Sequence, residues 1–533
     1  MRPWGGFLSG CFNFERQIQS LQIYLLSSVF LIAVCGLVYE LLAGTISSYL
    51  VGDSVYQFSL VIGLFMTSMG LGSFLSRYIN GKLHDWFVMV EVLTGVVGGM
   101  SSVVLFFAFT YLENYTPFLF IISITVGTLI GLEIPIILRI LKEHTELKIL
   151  FSNVLTADYI GALFASLLFP LVLVPRLGLV RTSLLFGTMN VAVGAGAIHV
   201  FKEKIEERKN LITLSVSAIL LLGTCLFYAD RISSLAEDSL YRDEIVYSAH
   251  TPYQRVVVTR TRNDIRMFIN GSIQFSSQDE YRYHESLVLP AMSAAHQKRS
   301  VLIIGGGDGL AAREVFKFAE VASLTIVDID PAITDFARDN LVMRELNKNS
   351  MRDPRTRIVN ADAWKYLEND SGIFDVIIVD LPDPDNLTLS RLYSRTFYRL
   401  LSRKLSRGGV IVTQATSPLY SNKAFWCIYN TFAATENPLY ANETASDTVR
   451  LDAQAFHAYV PSFGEWGFVM ASNSPIDWDK IKVAVPGQYV STEYLKSMGN
   501  FPEDIDFVET EVNSIDTHVV KTYYEEGWDR WAL

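Results

Sequence analysis

The segment Ser300-Val301-Leu302-Ile303-Ile304-Gly305-Gly306-Gly307-Asp308-Gly309 decides the fold. Residues 300–304 read as a buried strand, and the glycines that follow let the backbone turn sharply and approach a ligand closely. A helical stretch then runs through Phe318. The same unit repeats downstream. Residues 324–327 are an apolar run ending in Asp328-Ile329-Asp330-Pro331, residues 357–360 lead into Ala361-Asp362-Ala363, residues 374–379 end at Asp380, and residues 409–413 form a fifth strand. Strand–helix alternation of this kind predicts a Rossmann-like, methyltransferase-type doubly wound parallel sheet. Such sheets bind ligands at the carboxyl ends of their strands, where Asp308, Asp328, Asp362 and Asp380 all fall.

Upstream, residues 244–248, 254–259 and 266–269 read as short β segments with Asn270-Gly271 as a hairpin turn. A polar, aromatic stretch follows, from Gln274 through Asp279, Glu280, Tyr281, Tyr283, His284 and Glu285. The expected organisation is a helical domain over 1–229, a small β-hairpin domain over 230–298, the Rossmann-like domain over 299–475 and a C-terminal tail over 476–533.

The acidic residues carry different readings. A glycine turn alone is shared by NAD enzymes and methyltransferases. Asp328 lies about 20 residues beyond it, where an acid reaches ribose hydroxyls. Asp330, ahead of Pro331, reads as a turn or helix cap. Asp362 reads either as an acceptor for an exocyclic adenine amine or as an ordinary loop acid. Asp380-Leu381-Pro382-Asp383-Pro384 is more specific, because two carboxylates three residues apart on a proline-stiffened loop face one crevice.

The first half of the chain is a different object. The 533 residues carry 44 Lys and Arg against 55 Asp and Glu, a net charge of −11, which argues against nucleic-acid binding. Mean hydropathy is +0.27 with only 19% charged residues, which argues against disorder and against a simple cytosolic enzyme. Residues 1–229 hold 13 basic and 13 acidic residues, so the excess acid belongs to 230–533. Seven apolar runs, near 22–44, 57–78, 86–110, 117–138, 153–174, 180–200 and 211–228, are long enough to span a bilayer, and the first is too long for a cleaved signal peptide. These predict an α-helical multi-span membrane domain. Basic residues gather near Arg2 and Arg16 and in alternate loops (Arg77 and Lys82; Arg139, Lys142 and Lys148; Lys202 to Lys209), which the positive-inside rule assigns to the cytoplasm. Seven spans would then leave the C-terminal half outside. The loop with Arg176 and Arg181 breaks the alternation and leaves the count open over 153–200. Glu40, Glu133 and Asp158 lie in or near spans, either as functional carboxylates or as interfacial ones. Gly127 and Gly131 suit close helix contact. Cys11, Cys35, Cys225 and Cys427 show no paired spacing, so neither metal nor disulfide chemistry is expected.

Four motifs together resemble a known family. Pro252-Tyr253-Gln254-Arg255, Asn270-Gly271 through Gln274 with residues 279–285, the glycine turn 305–309 and residues 380–384 are similar in order and spacing to the spermidine synthases, or polyamine aminopropyltransferases, over roughly 240–475. The architecture resembles the multi-pass membrane branch of that family. The resemblance implies transfer of an aminopropyl group from decarboxylated S-adenosylmethionine, as co-substrate and without metal or other cofactor, to putrescine or a related polyamine. The products would be spermidine and methylthioadenosine. It implies that Gln254, Asp328, Asp362 and Ala363, with the turn glycines Gly305 and Gly307, hold the nucleoside. Tyr283, His284, Asp308 and Asp383 would contact the amines, and Asp380 would be the base. It further implies a lipid bilayer as partner, a homodimer or higher oligomer, and a catalytic half on the cytoplasmic side of the cell membrane, since the donor is a cytosolic metabolite.

Physical reasoning is consistent with that chemistry. Both co-substrates are cations; Asp308 suits the donor's ammonium and repels the carboxylate of ordinary S-adenosylmethionine. One departure stands out: Phe463, in Tyr459-Val460-Pro461-Ser462-Phe463-Gly464, occupies the place of a tyrosine in many relatives, which opens the question of acceptor length. Two other readings compete. One is an S-adenosylmethionine-dependent methyltransferase on a membrane anchor. The other is a polyamine transporter or sensor using Glu40, Glu133 and Asp158 as a cation path.

Overall fold

The computed structural model describes residues 5–51, 54–112, 115–142, 147–232, 243–251, 253–438 and 449–531. The chain divides into two compact units, Met1–Arg242 and Asp243–Leu533.

The first unit contains α1 (Gly5–Val51), α2 (Ser54–Leu75), α3 (Leu83–Tyr111), α4 (Thr116–Leu141), α5 (Leu147–Leu168), α6 (Val174–Val200) and α7 (Arg208–Phe227). Among the described residues, six helical stretches are long and apolar enough to cross a membrane, one of them the 53 residues Lys148–Val200. At about 1.5 Å per residue a straight helix of that length would reach roughly 80 Å, against about 30 Å of hydrocarbon. It is not straight. Phe169–Leu173 forms a π-helical turn, and Gly178, at φ 73° and ψ 177°, has a conformation no helix contains. The expected runs 153–174 and 180–200 lie on either side of that glycine.

Burial in this unit is inverted relative to a water-soluble bundle. Leu163, Leu171, Leu220 and Phe227 are each more than 60% exposed, whereas Glu91 and Glu133 are completely buried. Glu40 and Asp158 are half-buried. The small-residue pattern makes a close crossing of α2 and α4: a Cβ on Gly131 would lie 2.2 Å from the Met69 carbonyl oxygen, and one on Gly72 would lie 2.0 Å from that of Thr128.

In the second unit, β1 (Glu244–His250), β2 (Arg255–Arg260), β3 (Ile265–Ile269) and β4 (Ser272–Ser276) form an antiparallel meander. Asn270 and Gly271, with φ of 49° and 86°, make the expected hairpin turn. The main sheet has the order β10-β11-β9-β8-β5-β6-β7. Its parallel part is β5 (Ser300–Gly305), β6 (Ser323–Asp328), β7 (Thr356–Asn360), β8 (Phe374–Asp380) and β9 (Leu405–Gln414). An antiparallel pair, β10 (Asp452–Val460) and β11 (Gly464–Ser472), extends it beside β9, so the sheet is mixed rather than wholly parallel. Residues 476–531 pack onto this unit: Ile481, Val490, Leu495 and Met498 join the core on one face of the sheet, and Val520 joins the other.

Candidate active site

The order of strands sets where the site lies. From β5 the chain moves to β6 on one side and returns to β8 on the other, so the sheet reverses direction between β5 and β8. A crevice opens at the carboxyl ends of strands flanking such a reversal. Gly305 and Asp380 end these two strands and are direct partners across the ladder. A Cβ on Gly305 would fall 2.0 Å from the Asp380 carbonyl oxygen, and Gly305 and Gly306 both have positive φ, at 78° and 58°. Only glycine lets the turn pass this close to Asp380.

One flank of the crevice is built on Asp328. Its carboxylate accepts from the Gly307 N–H at 3.2 Å and from the Asp330 N–H at 2.8 Å. A Cβ on Gly307 would lie 2.5 Å from the same carboxylate. Burial raises the Asp328 carboxyl to about 6. Asp330 caps the helix α8 (Pro331–Asp339) by accepting from the Ala332 N–H, and its other oxygen accepts from Thr251 at 2.8 Å and from Gln254 at 3.0 Å. The hairpin layer therefore delivers Gln254 to the end of β6 through Asp330. Asp362 caps α9 (Ala363–Asn369), accepting from the Lys365 N–H, and makes a 2.6 Å ion pair with Arg391. One of its oxygens is thus committed to a guanidinium, and Ala363 is the first residue of the helix it caps.

The other flank centres on Asp380. The Tyr283 hydroxyl donates to its Oδ1 at 2.7 Å. Burial raises Asp380 to about 6, opposed by His284 and reinforced by Asp308. His284 is 2% exposed, and its Nδ1 donates at 2.8 Å to both the carbonyl and the carboxylate of Glu280. Burial alone would lower the imidazole, but Glu280 overcomes it and raises His284 to about 9. Glu280 is in turn gripped by Arg313 through two bonds of 2.7 and 2.8 Å. Burial works against its ionisation, yet His284 and Arg313 hold it at about 2. An imidazolium therefore stands among carboxylates. Asp308 accepts from the Leu310 N–H at 2.8 Å and is raised mainly by burial.

Asp383 lies in a separate net. It accepts from Gln414 at 3.2 Å and from Thr416 at 3.4 Å, Tyr524 lies beside it, and burial raises it to about 7. Tyr393 and Gln414 bond the Leu381 and Pro382 carbonyls and fix the loop that carries it. Phe463 meets the Tyr283 ring edge-on at 5.8 Å, and its loop is held where Asp279 accepts from the N–H and hydroxyl of Ser462. Phe463 also lines a cavity of about 400 Å³ with Tyr420, Tyr459, Glu465 and Trp528, so its ring is a wall between that cavity and Tyr283.

The structure therefore gathers Gly305, Gly307, Asp308, Asp328, Asp380, Tyr283 and His284 around one strand-end crevice. Gln254 reaches it through Asp330, and Asp383 adjoins it with its own partners. Sequence reasoning missed Tyr524, Gln414 and Thr416 as neighbours of Asp383, and Arg313 as partner of Glu280. Tyr524 has no local signal; it arrives on α10 (Val519–Trp528), more than 130 residues beyond the loop it touches. Glu285, in the same polar stretch as Tyr283 and His284, acts elsewhere: it accepts from the N–H groups of Gln488, Tyr489 and Val490 and pairs with Lys317, anchoring the C-terminal segment.

Known proteins match this chain along nearly its whole length. A family model for the spermine/spermidine synthase domain matches residues 280–476. A polyamine aminopropyltransferase of Leptospira interrogans is 43% identical over 510 residues, covering 96% of this chain and 99% of that protein. Polyamine aminopropyltransferase 2 of Ralstonia nicotianae is 42% identical over 516 residues, covering 95% and 98%. The crystal structure of spermidine synthase from Thermotoga maritima aligns with a TM-score of 0.41 at 24% identity, over 49% of this chain and 85% of that one. These relatives do not favour a methyltransferase or a non-catalytic transporter. With the motifs converging on one crevice and full-length relatives of this identity, the chain belongs to the polyamine aminopropyltransferase family, enzymes of aminopropyl transfer.

Proposed function

We propose that the catalytic unit transfers the aminopropyl group of decarboxylated S-adenosylmethionine to putrescine, giving spermidine and methylthioadenosine. The observation that carries this reading is the Tyr283–Asp380 hydrogen bond beside the glycine turn, with Asp308 in the same crevice. The donor's nucleoside lies along Gly305 to Gly307, with Asp328 receiving its ribose hydroxyls and Gln254 beside them. Its terminal ammonium pairs with Asp308. That carboxylate would repel the α-carboxylate of ordinary S-adenosylmethionine in a site largely shut from water, which discriminates by an unfavourable contact.

The acceptor amine attacks the methylene carbon bound to the sulfonium. A C–N bond forms, the C–S bond breaks, and its electron pair leaves with sulfur as a neutral thioether that needs no acid. The amine's excess proton passes to Asp380. Alkylamines and lysine hold their proton to about pH 10, so a carboxylate near 6 is a weak base for the task. Alignment of the two reactants therefore contributes more than proton affinity. Asp383 and the Tyr524 hydroxyl receive the acceptor's distal ammonium, supplying the phenol that Phe463 cannot. The His284 imidazolium keeps the surrounding carboxylates ionised as substrate cations leave.

The apolar helices with outward-facing Leu163, Leu171, Leu220 and Phe227 fit a bilayer, which would hold the catalytic unit at the cytoplasmic side of the cell membrane. Asp380→Asn tests the catalytic assignment: methylthioadenosine formation should fall by roughly 10²–10⁴ with donor binding retained. Near-normal turnover would put the base elsewhere. A reporter fused after Leu533 tests the sidedness.

A further inference from the structure

The helical unit contains two carboxylates that no ion pair neutralises. Glu91 on α3 and Glu133 on α4 are both 0% exposed. Thr94 donates to Glu133 Oε1 at 3.0 Å, and the Asn190 amide on α6 donates to Glu91 Oε2 at 3.3 Å. The other oxygen of each acid, Oε1 of Glu91 and Oε2 of Glu133, has no hydrogen-bond partner. The Asn190 carbonyl oxygen and the Tyr39 hydroxyl, on residues 1% exposed, are likewise unpartnered. Among the described residues no Lys, Arg or His forms a salt bridge with either acid. Four helices thus turn polar atoms inward that nothing present satisfies.

The groups facing this centre are few. Glu91 and Glu133 interact with each other; Tyr24, Cys35 and Tyr39 face them from α1 and Asp158 faces Glu133 from α5. Asp85, on α3, is committed to the N–H groups of Glu206 and Glu207. None of these supplies a positive charge. Two ionised carboxylates cannot share an apolar interior without a compensating cation. Packing restricts what that cation is. A Cβ on Gly98 would fall 2.7 Å from the Tyr39 ring, and one on Gly194 would fall 3.0 Å from the Glu91 Cβ. Helices packed this closely beside the acids favour the smallest cation, a proton.

We propose that Glu91 and Glu133 form a buried cation centre whose occupant is an exchangeable proton, oriented by Thr94 and Asn190. This rests on the reading of the helical unit as membrane-spanning and is independent of the aminopropyl reaction. The centre shares Glu133 with the cation path read from the sequence but leaves out Glu40 and Asp158, which are half-buried.

The test uses the purified full-length protein in phosphatidylcholine vesicles and dicyclohexylcarbodiimide, a reagent that adds to protonated carboxyls in apolar surroundings. Peptide mass spectrometry should find the adduct on Glu91 or Glu133 at pH 7, with a yield that falls as pH rises to 9. Glu133→Gln and Glu91→Gln should change labelling at the remaining acid while aminopropyl transfer, assayed in the same sample, stays within about twofold. No adduct on either residue between pH 5 and 9, in protein that still transfers aminopropyl groups, would overturn the proposal. Protection by sodium chloride but not by choline chloride would assign the centre to sodium and overturn the proton. Loss of transfer with normal labelling would count against the catalytic reading alone.

Discussion

The Tyr283 hydroxyl donates a 2.7 Å hydrogen bond to Oδ1 of Asp380, and the Tyr283 ring is itself held by Phe463, Phe468 and His284. A phenol that bonds an ionised carboxylate favours that form, opposing the burial that lifts Asp380 to about 6. Below that pH Asp380, the proposed base, is protonated, so kcat/KM for the wild-type enzyme should fall about tenfold per unit as pH drops below 6. Tyr283→Phe removes the bond and should move this acid limb upward by roughly one pH unit, as expected for a charged hydrogen bond of about 1.5 kcal/mol. An unshifted limb in the pH–rate profile would separate Tyr283 from Asp380.

The Glu280–His284–Arg313 chain makes a stability prediction. His284 is raised to about 9, so its contribution is fully present below its ordinary value of about 6.5 and is lost as pH rises through about 9. Glu280 is lowered to about 2, so its contribution is present above about 4.3 and is lost as pH falls through about 2. The melting temperature should therefore decline between pH 6.5 and 9. Glu280→Gln should flatten that decline and lower stability by about 1.5–3 kcal/mol, the worth of hydrogen bonds to a charged group, because Arg313 then keeps only Glu314, at 2.8 Å, as a carboxylate partner. Differential scanning fluorimetry across this range reads both effects.

Asp308 should govern which sulfonium donor binds. Asp308→Asn removes the charge proposed to pair the donor's ammonium and should weaken the decarboxylated donor by roughly 10–100-fold, the worth of a partly dry charge pair. The same change should strengthen ordinary S-adenosylmethionine relative to wild type. Equilibrium dialysis with each donor measures the ratio; an unchanged ratio would remove Asp308 from the recognition of the ammonium.

Tyr524 should act on the acceptor and leave the donor alone. Tyr524→Phe should raise KM for putrescine by roughly tenfold, the loss of one hydrogen bond to the acceptor's ammonium, with donor affinity unchanged. Substituting Phe463→Leu thins the wall between Tyr283 and the neighbouring cavity. It should raise the kcat/KM ratio of spermidine to putrescine by about tenfold, a pocket-scale effect. Steady-state kinetics with both amines checks each expectation.

The parallel strands were legible because each is an unbroken apolar run ended by Gly or Asp, which is how a strand buried on both faces reads. The hairpin turn at Asn270-Gly271 was equally plain. The β10–β11 pair was not, because Asp452–Val460 is neither an unbroken apolar run nor a strict alternation, its burial pattern breaking at Gln454 and Ala455. Residues 476–533 looked like a tail because they bury isolated side chains such as Val490 and Leu495 instead of a continuous run. That concealment hid Tyr524. Asp380, Asp308 and Tyr283 could be named from their motifs, but the Arg391 partner of Asp362 lies 29 residues away and only folding reveals it. Glu91 was lost inside an apolar run, although one carboxylate there is as costly as Glu133 in its own apolar helix.

The central claim is a cation-selective aminopropyl transfer at the Asp308–Asp380 crevice. It is tested most directly by incubating the purified full-length protein with putrescine and, separately, decarboxylated and ordinary S-adenosylmethionine, then quantifying products by mass spectrometry. Equal amounts of spermidine and methylthioadenosine from the decarboxylated donor, with none from the ordinary one, is the predicted result. A methylated amine with S-adenosylhomocysteine from ordinary S-adenosylmethionine, and no spermidine from the decarboxylated donor, would contradict it.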